Sequence, residues 1–357
     1  MKLTDLGWDS YFDEKFMPFQ DQGFSAMRII RENRGKYIAC GELGEYACEI
    51  SGKFRFETDS KGGYPAVGDW VAVSVRSNEN KATIHGLIPR KNAFSRKVAG
   101  QVTDEQVVAA NLDNIFIVTG LDLNFNLRRI ERYLSVAWES GAVPVILLNK
   151  SDLCPDVEGR KNEVESIAFE VDVHALSASQ NQGMKILDKY IQAGKTVAFL
   201  GSSGVGKSTI INTLLGTDRL EVREVSDSNS KGRHTTTFRE LILLPNGGMV
   251  IDTPGMRELQ VWGDEEGLKH VFDDIEELAS ECRFRDCSHG NEPGCAIQKA
   301  INNNILSPKR FESYLKLKRE YDYLAKRQSM KASAVEKEKW KKIKKFAREL
   351  KKKNNNG

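Results

Sequence analysis

A glycine-rich run in the middle of the chain is the sequence feature that most constrains the fold. Residues 201–209 read GSSGVGKST and match the pattern G-x-x-x-x-G-K-[ST], between the apolar run Thr196–Leu200 and the helix-like stretch Thr209–Leu215. Glycines let successive backbone N–H groups turn towards phosphate oxygens, and the following helix offers its positive N-terminal end. The run therefore predicts a phosphate-binding loop between a strand and a helix of an α/β sheet.

The polar side chains of this loop have predicted roles. The Lys207 ammonium is expected to reach the β- and γ-phosphates of a nucleotide, and the Ser208 hydroxyl is expected to bind Mg²⁺. The predicted nucleotide contacts of the loop are Gly201, Ser202, Ser203, Gly204, Val205, Gly206, Lys207, Ser208 and Thr209.

A second motif, Asn149-Lys150-Ser151-Asp152, follows the apolar run Val143–Leu148. The Asp152 carboxylate can accept both N1–H and N2–H of guanine, whereas adenine lacks these donors and would leave it unpaired. Asn149 can serve the N7 side of the base, and the Lys150 stem can cover the ring face. Such a short motif is weak alone, but together with the phosphate loop it predicts GTP in preference to ATP. Ser177 and Ala178, after a strand-like run ending at His174, would bring a backbone N–H to guanine O6.

Two further segments have the composition of nucleotide-sensing switches. Asp252-Thr253-Pro254-Gly255 ends the strand-like run Met249–Ile251; Asp252 suits a water-mediated Mg²⁺ contact, and the Gly255 amide suits the γ-phosphate. Upstream, the hydrophilic run 226–237 contains three threonines, of which Thr236 is favoured as a Mg²⁺ ligand present only with GTP. The alternative interpretation of this run is a plain Ser/Thr loop.

Four metal-ligand side chains lie within a short span near the C-terminus, with the spacing Cys282-x4-Cys287-x-His289-x5-Cys295. Three thiolates and one imidazole suit tetrahedral Zn²⁺, and four protein ligands leave no position open for catalysis. The motif predicts one structural zinc ion that stabilises a small helical module. Arg283, Arg285 and Lys299 around it would present a surface to RNA.

The flanking regions differ in pattern from the α/β centre. Short strands separated by turns predict a barrel of the oligonucleotide-binding (OB) type, which serves either nucleic-acid binding or a purely structural role. The predicted strands are Tyr37–Cys40, Tyr46–Ile50, Phe54–Glu57, Trp70–Val75 and Thr83–Leu87. The basic cluster of Arg90, Lys91, Arg96 and Lys97 around Phe94 suits base stacking, or else a plain linker.

Charge is distributed unevenly. The chain carries a net +3, but residues 309–357 hold 18 Lys and Arg against 6 Asp and Glu, so the rest of the chain is mildly acidic. A basic tail suits a polyanionic partner such as nucleic acid, and the alternative is a solvated helix without a partner. The N-terminus has no apolar signal core, and no apolar run approaches the ~18 residues of a membrane span, which favours a cytoplasmic protein without a membrane segment.

The motifs occur in a rotated order: Asn149–Asp152 and Ser177-Ala178 precede the phosphate loop, and the threonine segment and Asp252–Gly255 follow it. With the N-terminal barrel and the C-terminal Cys/His module, residues of about 35–320 resemble the RsgA (YjeQ/YloQ) family of circularly permuted GTPases. The resemblance implies a GTP hydrolase that binds the 30S ribosomal subunit and 16S rRNA during late subunit maturation. It is expected to be slow alone, stimulated by the subunit, and monomeric.

The residue expected to assist hydrolysis departs from the Ras-like pattern. In Ras-like enzymes, a Gln directly after the glycine of this motif orients the attacking water. Here that glycine is Gly255, and the residue after it is Met256. His234 in the threonine segment is the favoured catalytic residue, and the resemblance supports it because the family carries a histidine there. A solvated loop histidine, or Arg257 acting as a charge stabiliser, are the alternatives.

The predicted fold class is therefore multidomain: an OB-like β-barrel, a circularly permuted α/β P-loop GTPase and a helical zinc-binding module. The predicted boundaries are 1–34 for an irregular N-terminal extension, 35–97 for the barrel, 98–265 for the GTPase, 266–330 for the zinc module and 331–357 for a Lys-rich tail. Two other functions stay open at this point: a non-hydrolysing GTP sensor with an RNA-binding output, suggested by Met256, and a GTP-dependent translation factor on mature ribosomes.

Overall fold

The computed structural model describes residues 1–33, 35–58, 60–97, 105–218, 239–252, 265–290 and 292–326. Its strands are β1 Ser25–Asn33, β2 Lys36–Gly41, β3 Gly44–Ile50, β4 Trp70–Arg76, β5 Lys81–Leu87, β6 Ala93–Lys97, β7 Glu105–Ala110, β8 Asn114–Gly120, β9 Val143–Asn149, β10 Asp172–Ala175, β11 Thr196–Leu200, β12 Arg239–Leu243 and β13 Met249–Asp252. Its α-helices are α1 Ser10–Gln20, α2 Gly52–Glu57, α3 Leu127–Glu139, α4 Val157–Glu165, α5 Lys207–Leu215, α6 Glu266–Val271, α7 Asp273–Ser280, α8 Ala296–Asn302 and α9 at 308–326.

Strands β1 to β5 close into a five-stranded barrel. Their order is β1-β2-β3-β5-β4, and β4 pairs back onto β1 through Ser25↔Val73 to Arg28↔Trp70. Strands β3 and β5 run parallel, so the chain must cross over between them, as in an OB fold. The predicted OB-like barrel is confirmed.

Two local predictions for the barrel are wrong. Residues 1–34 contain α1 and β1 instead of an irregular extension, and β1 is one of the strands that close the barrel. Phe54–Glu57 lies in α2 instead of a strand, because the Ser51 side chain caps this helix by accepting from the backbone N–H of Phe54 at 3.1 Å. None of the α2 side chains is buried, so this segment has no buried face of the kind that a barrel strand would have.

The α/β centre is an open sheet with the strand order β10-β9-β8-β11-β13-β12. The first five strands are parallel, and β12 is antiparallel at their edge. Successive residues of β8 alternate between two cores: Ile115 and Ile117 pack with α3, and Phe116 and Val118 pack with α5. Helices therefore cover both faces of the sheet, and the carboxyl ends of the parallel strands meet at one edge.

The barrel and the α/β sheet are joined through their backbones. Strand β12 pairs antiparallel with β1 through Arg31↔Glu240 and Glu32↔Arg239, so both sheets form one continuous eleven-stranded sheet. The facing side chains form ion pairs, Arg31 with Glu240 and Arg239 with Glu32. Strands β6 and β7, which the sequence did not predict, pair antiparallel in a separate two-stranded sheet.

A buried arginine contacts three parts of the chain at this junction. The Arg28 guanidinium is fully buried and donates to the carbonyls of Leu6, Gly68 and Asn111, which belong to the N-terminal segment, the barrel and the segment leading into β8. Burial lowers the pKa of Arg28 to about 10, against the opposing charges of Asp113 and Asp69. Arg28 thus stabilises one relative placement of these segments.

The C-terminal helices pack on α3. Arg310 of α9 donates to the buried Glu131 of α3 at 3.0 Å and to Asp274 of α7 at 2.7 Å. Farther along α9, Arg132 pairs with Glu320 at 2.8 Å, and Tyr321 bonds with Ser135 at 2.7 Å. Helix α3 therefore lies between the α/β sheet and the C-terminal helices. Among the described residues, no helix has the length and apolar character to cross a membrane.

Candidate functional site

The predicted nucleotide motifs gather at the carboxyl edge of the parallel sheet. The phosphate loop follows β11, the Asn149 motif follows β9, Ser177 follows β10, and Asp252 ends β13. Because these strands are neighbours and parallel, their ends lie side by side although they are far apart in the chain. Both the base motif and the phosphate loop therefore face the same crevice.

The phosphate loop has the backbone that its glycines allow. Gly201, Gly204 and Gly206 have φ values of 149°, 77° and 98°, in the region that side chains with a Cβ rarely adopt. The Lys207 ammonium lies over the loop and donates to the carbonyls of Gly201 at 2.6 Å and Ser202 at 2.7 Å. Helix α5 begins at Lys207, so its N-terminal end opens at the loop, where a phosphate would meet it.

Asn149 joins the base motif to the phosphate loop. Its buried amide donates through Nδ2 to the Val205 carbonyl at 2.7 Å and accepts at Oδ1 from the Ala178 N–H at 3.1 Å. One side chain thus holds three segments, after β9, β10 and β11, in a fixed arrangement. The structure thereby brings together three of the predicted segments. Asn149 holds these segments together in addition to its predicted contact with the base.

We expect Gly206→Ala to break this arrangement. A Cβ at Gly206 would lie 2.1 Å from Asn149 Nδ2, and the residue has a φ of +98°. Relief requires the loop or the Asn149 side chain to leave its position, at a cost of about 1–3 kcal/mol, so GTP should bind roughly 5- to 150-fold more weakly. The matched control is Gly216→Ala at the other end of α5, which has a φ of +67° and open space around the added Cβ. Equal affinities of the two variants in a fluorescent-nucleotide titration would contradict this role of Gly206.

Lys150 and Asp152 extend the same motif towards solvent. Lys150 has a left-handed backbone with φ +63°, and the turn Ser151–Leu153 follows it. The Ser151 N–H donates to the Leu176 carbonyl at 3.1 Å, which fixes the turn against the segment after β10. The Asp152 side chain is exposed to solvent.

Asp122 is a site residue that the sequence analysis missed. It follows β8, the central strand between β9 and β11, and its carboxylate accepts from the Lys150 ammonium at 2.6 Å. Partial burial acts to raise the pKa of Asp122, but hydrogen bonds from Lys150 and the Asn124 N–H outweigh it and hold the pKa below its ordinary value. The signal that could have found it is its place just after Gly120, at the end of another apolar strand.

Several predicted contacts lie outside the described residues. These are Thr236, His234 and Gly255, together with Met256 and Arg257. Asp252 is described and ends β13, the neighbour of the strand that carries the phosphate loop. The Lys-rich tail 331–357 also lies outside the described residues.

The Cys/His motif forms a compact cluster. The ligand atoms of Cys282, Cys287, His289 and Cys295 all lie within 4.8 Å of one another. Cys282 Sγ is 3.5 Å from His289 Nδ1 and 4.0 Å from Cys295 Sγ, and Cys295 Sγ is 3.7 Å from His289 Nδ1. Tetrahedral zinc with bonds of about 2.0–2.3 Å places its ligand atoms ~3.5–3.8 Å apart, so the cluster fits one such ion. Gln298 Nε2 donates to the His289 carbonyl at 2.7 Å and supports the loop.

The basic residues differ in their availability. Arg283, Arg285 and Lys299 around the cluster are exposed, as an RNA-facing surface requires. The base-stacking role suggested for the cluster around Phe94 is wrong, because Phe94 is only 1% exposed. Arg90 is engaged within the protein, because it forms a bidentate ion pair with the buried Asp69 through hydrogen bonds of 2.8 and 2.7 Å.

The fold and this site define a P-loop GTPase whose motifs are circularly permuted and which carries an OB-like barrel. A model of the RsgA GTPase family matches residues 87–262. The chain belongs to the RsgA family, because it is 46% identical to the small ribosomal subunit biogenesis GTPase RsgA of Opitutus terrae over 353 residues, 96% of each chain. It is 41% identical to the protein of the same name from Syntrophotalea carbinolica, again over 96% of each chain.

Solved structures agree with this assignment. The crystal structure of YjeQ from Thermotoga maritima matches with a TM-score of 0.62 and 27% identity, over 84% of this chain and 98% of that one. The structure of YloQ, described as a circularly permuted GTPase, matches in fold with a TM-score of 0.58 and 24% identity, over 84% of this chain and 95% of that one. The family model and the named relatives show that the chain is a GTP hydrolase, which excludes the alternative of a non-hydrolysing GTP sensor.

Proposed function

We propose that the chain binds GTP at the carboxyl edge of its parallel sheet and uses GTP hydrolysis in late maturation of the small (30S) ribosomal subunit. The observation that carries the GTP site is the Asn149 amide, which links the phosphate loop to both base-side segments. The names of the two relatives, small ribosomal subunit biogenesis GTPase, support the ribosomal role.

The proposed division of labour follows the geometry. Asp152, Lys150, Ser151, Ser177 and Ala178 read the guanine side, and residues 201–209 bind the phosphates. Bound Mg²⁺ would neutralise phosphate charge, with Ser208 and Thr236 as its protein ligands and Asp252 reaching it through water. Gly255 senses the γ-phosphate. The Cys282, Cys287, His289 and Cys295 cluster holds one structural Zn²⁺, for which its ligand spacing is suited.

The proposed switch connects these parts mechanically. The segment 253–264 leads from Asp252 directly into α6 and the C-terminal helices, so a change at the γ-phosphate can reorient that module. The barrel and the zinc module then bind 16S rRNA while GTP is bound, and their affinity for the rRNA falls after hydrolysis. We propose a cytoplasmic monomer, with the barrel beginning at β1 instead of at Gly35 and the other predicted domain boundaries kept.

The decisive experiment measures phosphate release by the full chain alone, with purified 30S subunits and with 70S ribosomes. Strong stimulation by 30S subunits, together with preferential sedimentation with immature 30S particles, is the expected result. Stimulation by 70S ribosomes alone would favour a translation factor, and no stimulation by either particle would reject the ribosomal function.

His234→Ala tests the catalytic proposal separately. An imidazole near the γ-phosphate can position or accept a proton from the attacking water, so its loss should cut subunit-stimulated turnover by roughly 10²-fold or more. GTP affinity should change little, because His234 lies outside the phosphate loop and the base motif. The measurement compares turnover with nucleotide affinity, and an unchanged turnover would remove His234 from the mechanism.

A further inference from the structure

A cavity lies at the junction between the barrel and the α/β sheet. It has a volume of about 570 Å³, within the range of small-molecule sites. Its walls come from the β1–β2 turn, α2, the following 3₁₀ turn, β7 and the first residue of β12. The residues that carry the argument are Glu32, Tyr37, Arg55, Lys61, Tyr64 and Arg239.

The charged residues in the described part of the cavity lining are mostly cationic. They are Arg55, Lys61 and Arg239 together with one carboxylate, Glu32. The Arg239–Glu32 pair is long, at 3.4 Å, and both side chains are mostly covered, with 12% and 19% of their surface exposed. Burial lowers the pKa of Arg239; Glu32 opposes this, and the charge of nearby Arg96 acts in the same direction as burial. Among the described lining residues, positive charge therefore exceeds negative charge, which favours an anion.

Two tyrosines give the cavity a second property. Tyr64 is half-buried and Tyr37 is buried, and both line the same space as the cations. Burial, with Glu32 acting in the same direction, raises the pKa of Tyr37 to about 12, so its hydroxyl stays a hydrogen-bond donor at neutral pH. Rings combined with cations are the arrangement by which proteins bind unpaired nucleotides: the ring stacks on the base and the cations take the phosphate.

We propose that this cavity binds one unpaired nucleotide, with its phosphate held by Arg55 and Lys61 and its base against Tyr64. That the nucleotide belongs to ribosomal RNA in the cell rests on the proposed ribosomal function. The shared chemistry of the ligand is a base with a phosphate, whether it comes from an RNA strand or from a free mononucleotide.

Arg239 connects the cavity to the nucleotide switch. It is the first residue of β12, two residues after Thr237 of the threonine segment, and it is held by Glu32 across the β1–β12 pairing. A phosphate in the cavity competes with Glu32 for the Arg239 guanidinium. Occupancy of the cavity therefore alters a contact at the base of the segment that is proposed to bind Mg²⁺.

The test measures binding of a labelled single-stranded RNA of about eight nucleotides to the full chain by fluorescence anisotropy. The double variant Arg55→Ala, Lys61→Ala should bind at least ~10-fold more weakly, and the slope of log K against log salt should fall by about 0.7, the value for one lost phosphate contact on a single strand. Tyr64→Ala should weaken binding, whereas Tyr64→Phe should keep it, because the stacking ring remains. GTP affinity and melting temperature should be unchanged in all variants.

The matched control is Lys53→Ala, which removes an exposed cation from α2 that does not line the cavity. It should stay within twofold of the parent; a loss equal to that of the double variant means diffuse surface charge and overturns the proposal. If a millimolar mononucleotide displaces the labelled RNA, the free nucleotide is the ligand of the cavity. If it does not displace the RNA and the variants still bind more weakly, the ligand is an RNA strand. This binding experiment uses no ribosomal subunit. A lack of stimulation by 30S subunits would therefore reject the proposed function but would not change the outcome of this test.

Discussion

Asp152→Asn should reverse the nucleotide preference of the protein. The carboxylate is expected to accept both N1–H and N2–H of guanine, and an amide in its place presents one acceptor and one donor. GTP affinity should fall by roughly 10³-fold or more, because the guanine amine then faces another donor in a desolvated site. Xanthine carries a carbonyl where guanine has that amine, so the variant should bind XTP more tightly than GTP.

The structure makes this substitution a clean one. The Asp152 side chain is exposed, so an amide in its place disturbs no packing. The backbone of the turn is fixed by a hydrogen bond from the Leu153 N–H to the Lys150 carbonyl at 3.0 Å, which the substitution leaves intact. Asp156→Asn, four residues on, is the matched control. Asp156 caps α4 by accepting from the Gly159 N–H, a role that Asn fills equally well. Competition titrations with GTP, XTP and ATP give the answer, and GTP binding within threefold of the parent would exclude Asp152 as the base reader.

The sequence predicted those parts of the site that depend on local pattern. Helix α3 is an amphipathic stretch that begins after Asn126, and the Asn126 side chain caps the helix by accepting from the Arg129 N–H. The strands that carry the motifs read as apolar runs, and each motif has a recognisable composition. Parallel pairing then places all their ends together, so adjacency at the site follows from the fold class.

The parts that sequence analysis missed depend on contacts between distant segments. Strand β1 carries Arg28 at its centre, and an arginine in an apolar run argues against a buried strand. It is tolerated here because carbonyls of Leu6, Gly68 and Asn111 converge on it, which no local pattern shows. The β1–β12 pairing joins residues about two hundred positions apart, and Asp122 gains its role only from Lys150 on the neighbouring strand.

Removal of zinc should have the largest effect on folding. The described residues between α7 and α8 form neither helix nor strand, and of the four proposed ligand residues only Cys295 is buried. Metal binding in small modules contributes an apparent ~10–16 kcal/mol, more than a helical unit of this size can replace. Cys282→Ser or a strong chelator should therefore abolish cooperative folding of the segment from α7 to α8 at room temperature.

Three measurements separate this outcome from general instability. Metal analysis should show one zinc ion per chain, absent in Cys282→Ser, and limited proteolysis should cut the variant between α7 and α8. Cys154→Ser is the control, since Cys154 is a half-buried thiol outside the cluster and should retain full zinc content. GTP affinity should stay within a few fold, because the base motif and phosphate loop lie on other strands. If Cys282→Ser keeps its zinc and its resistance to protease, the four-ligand structural site is wrong.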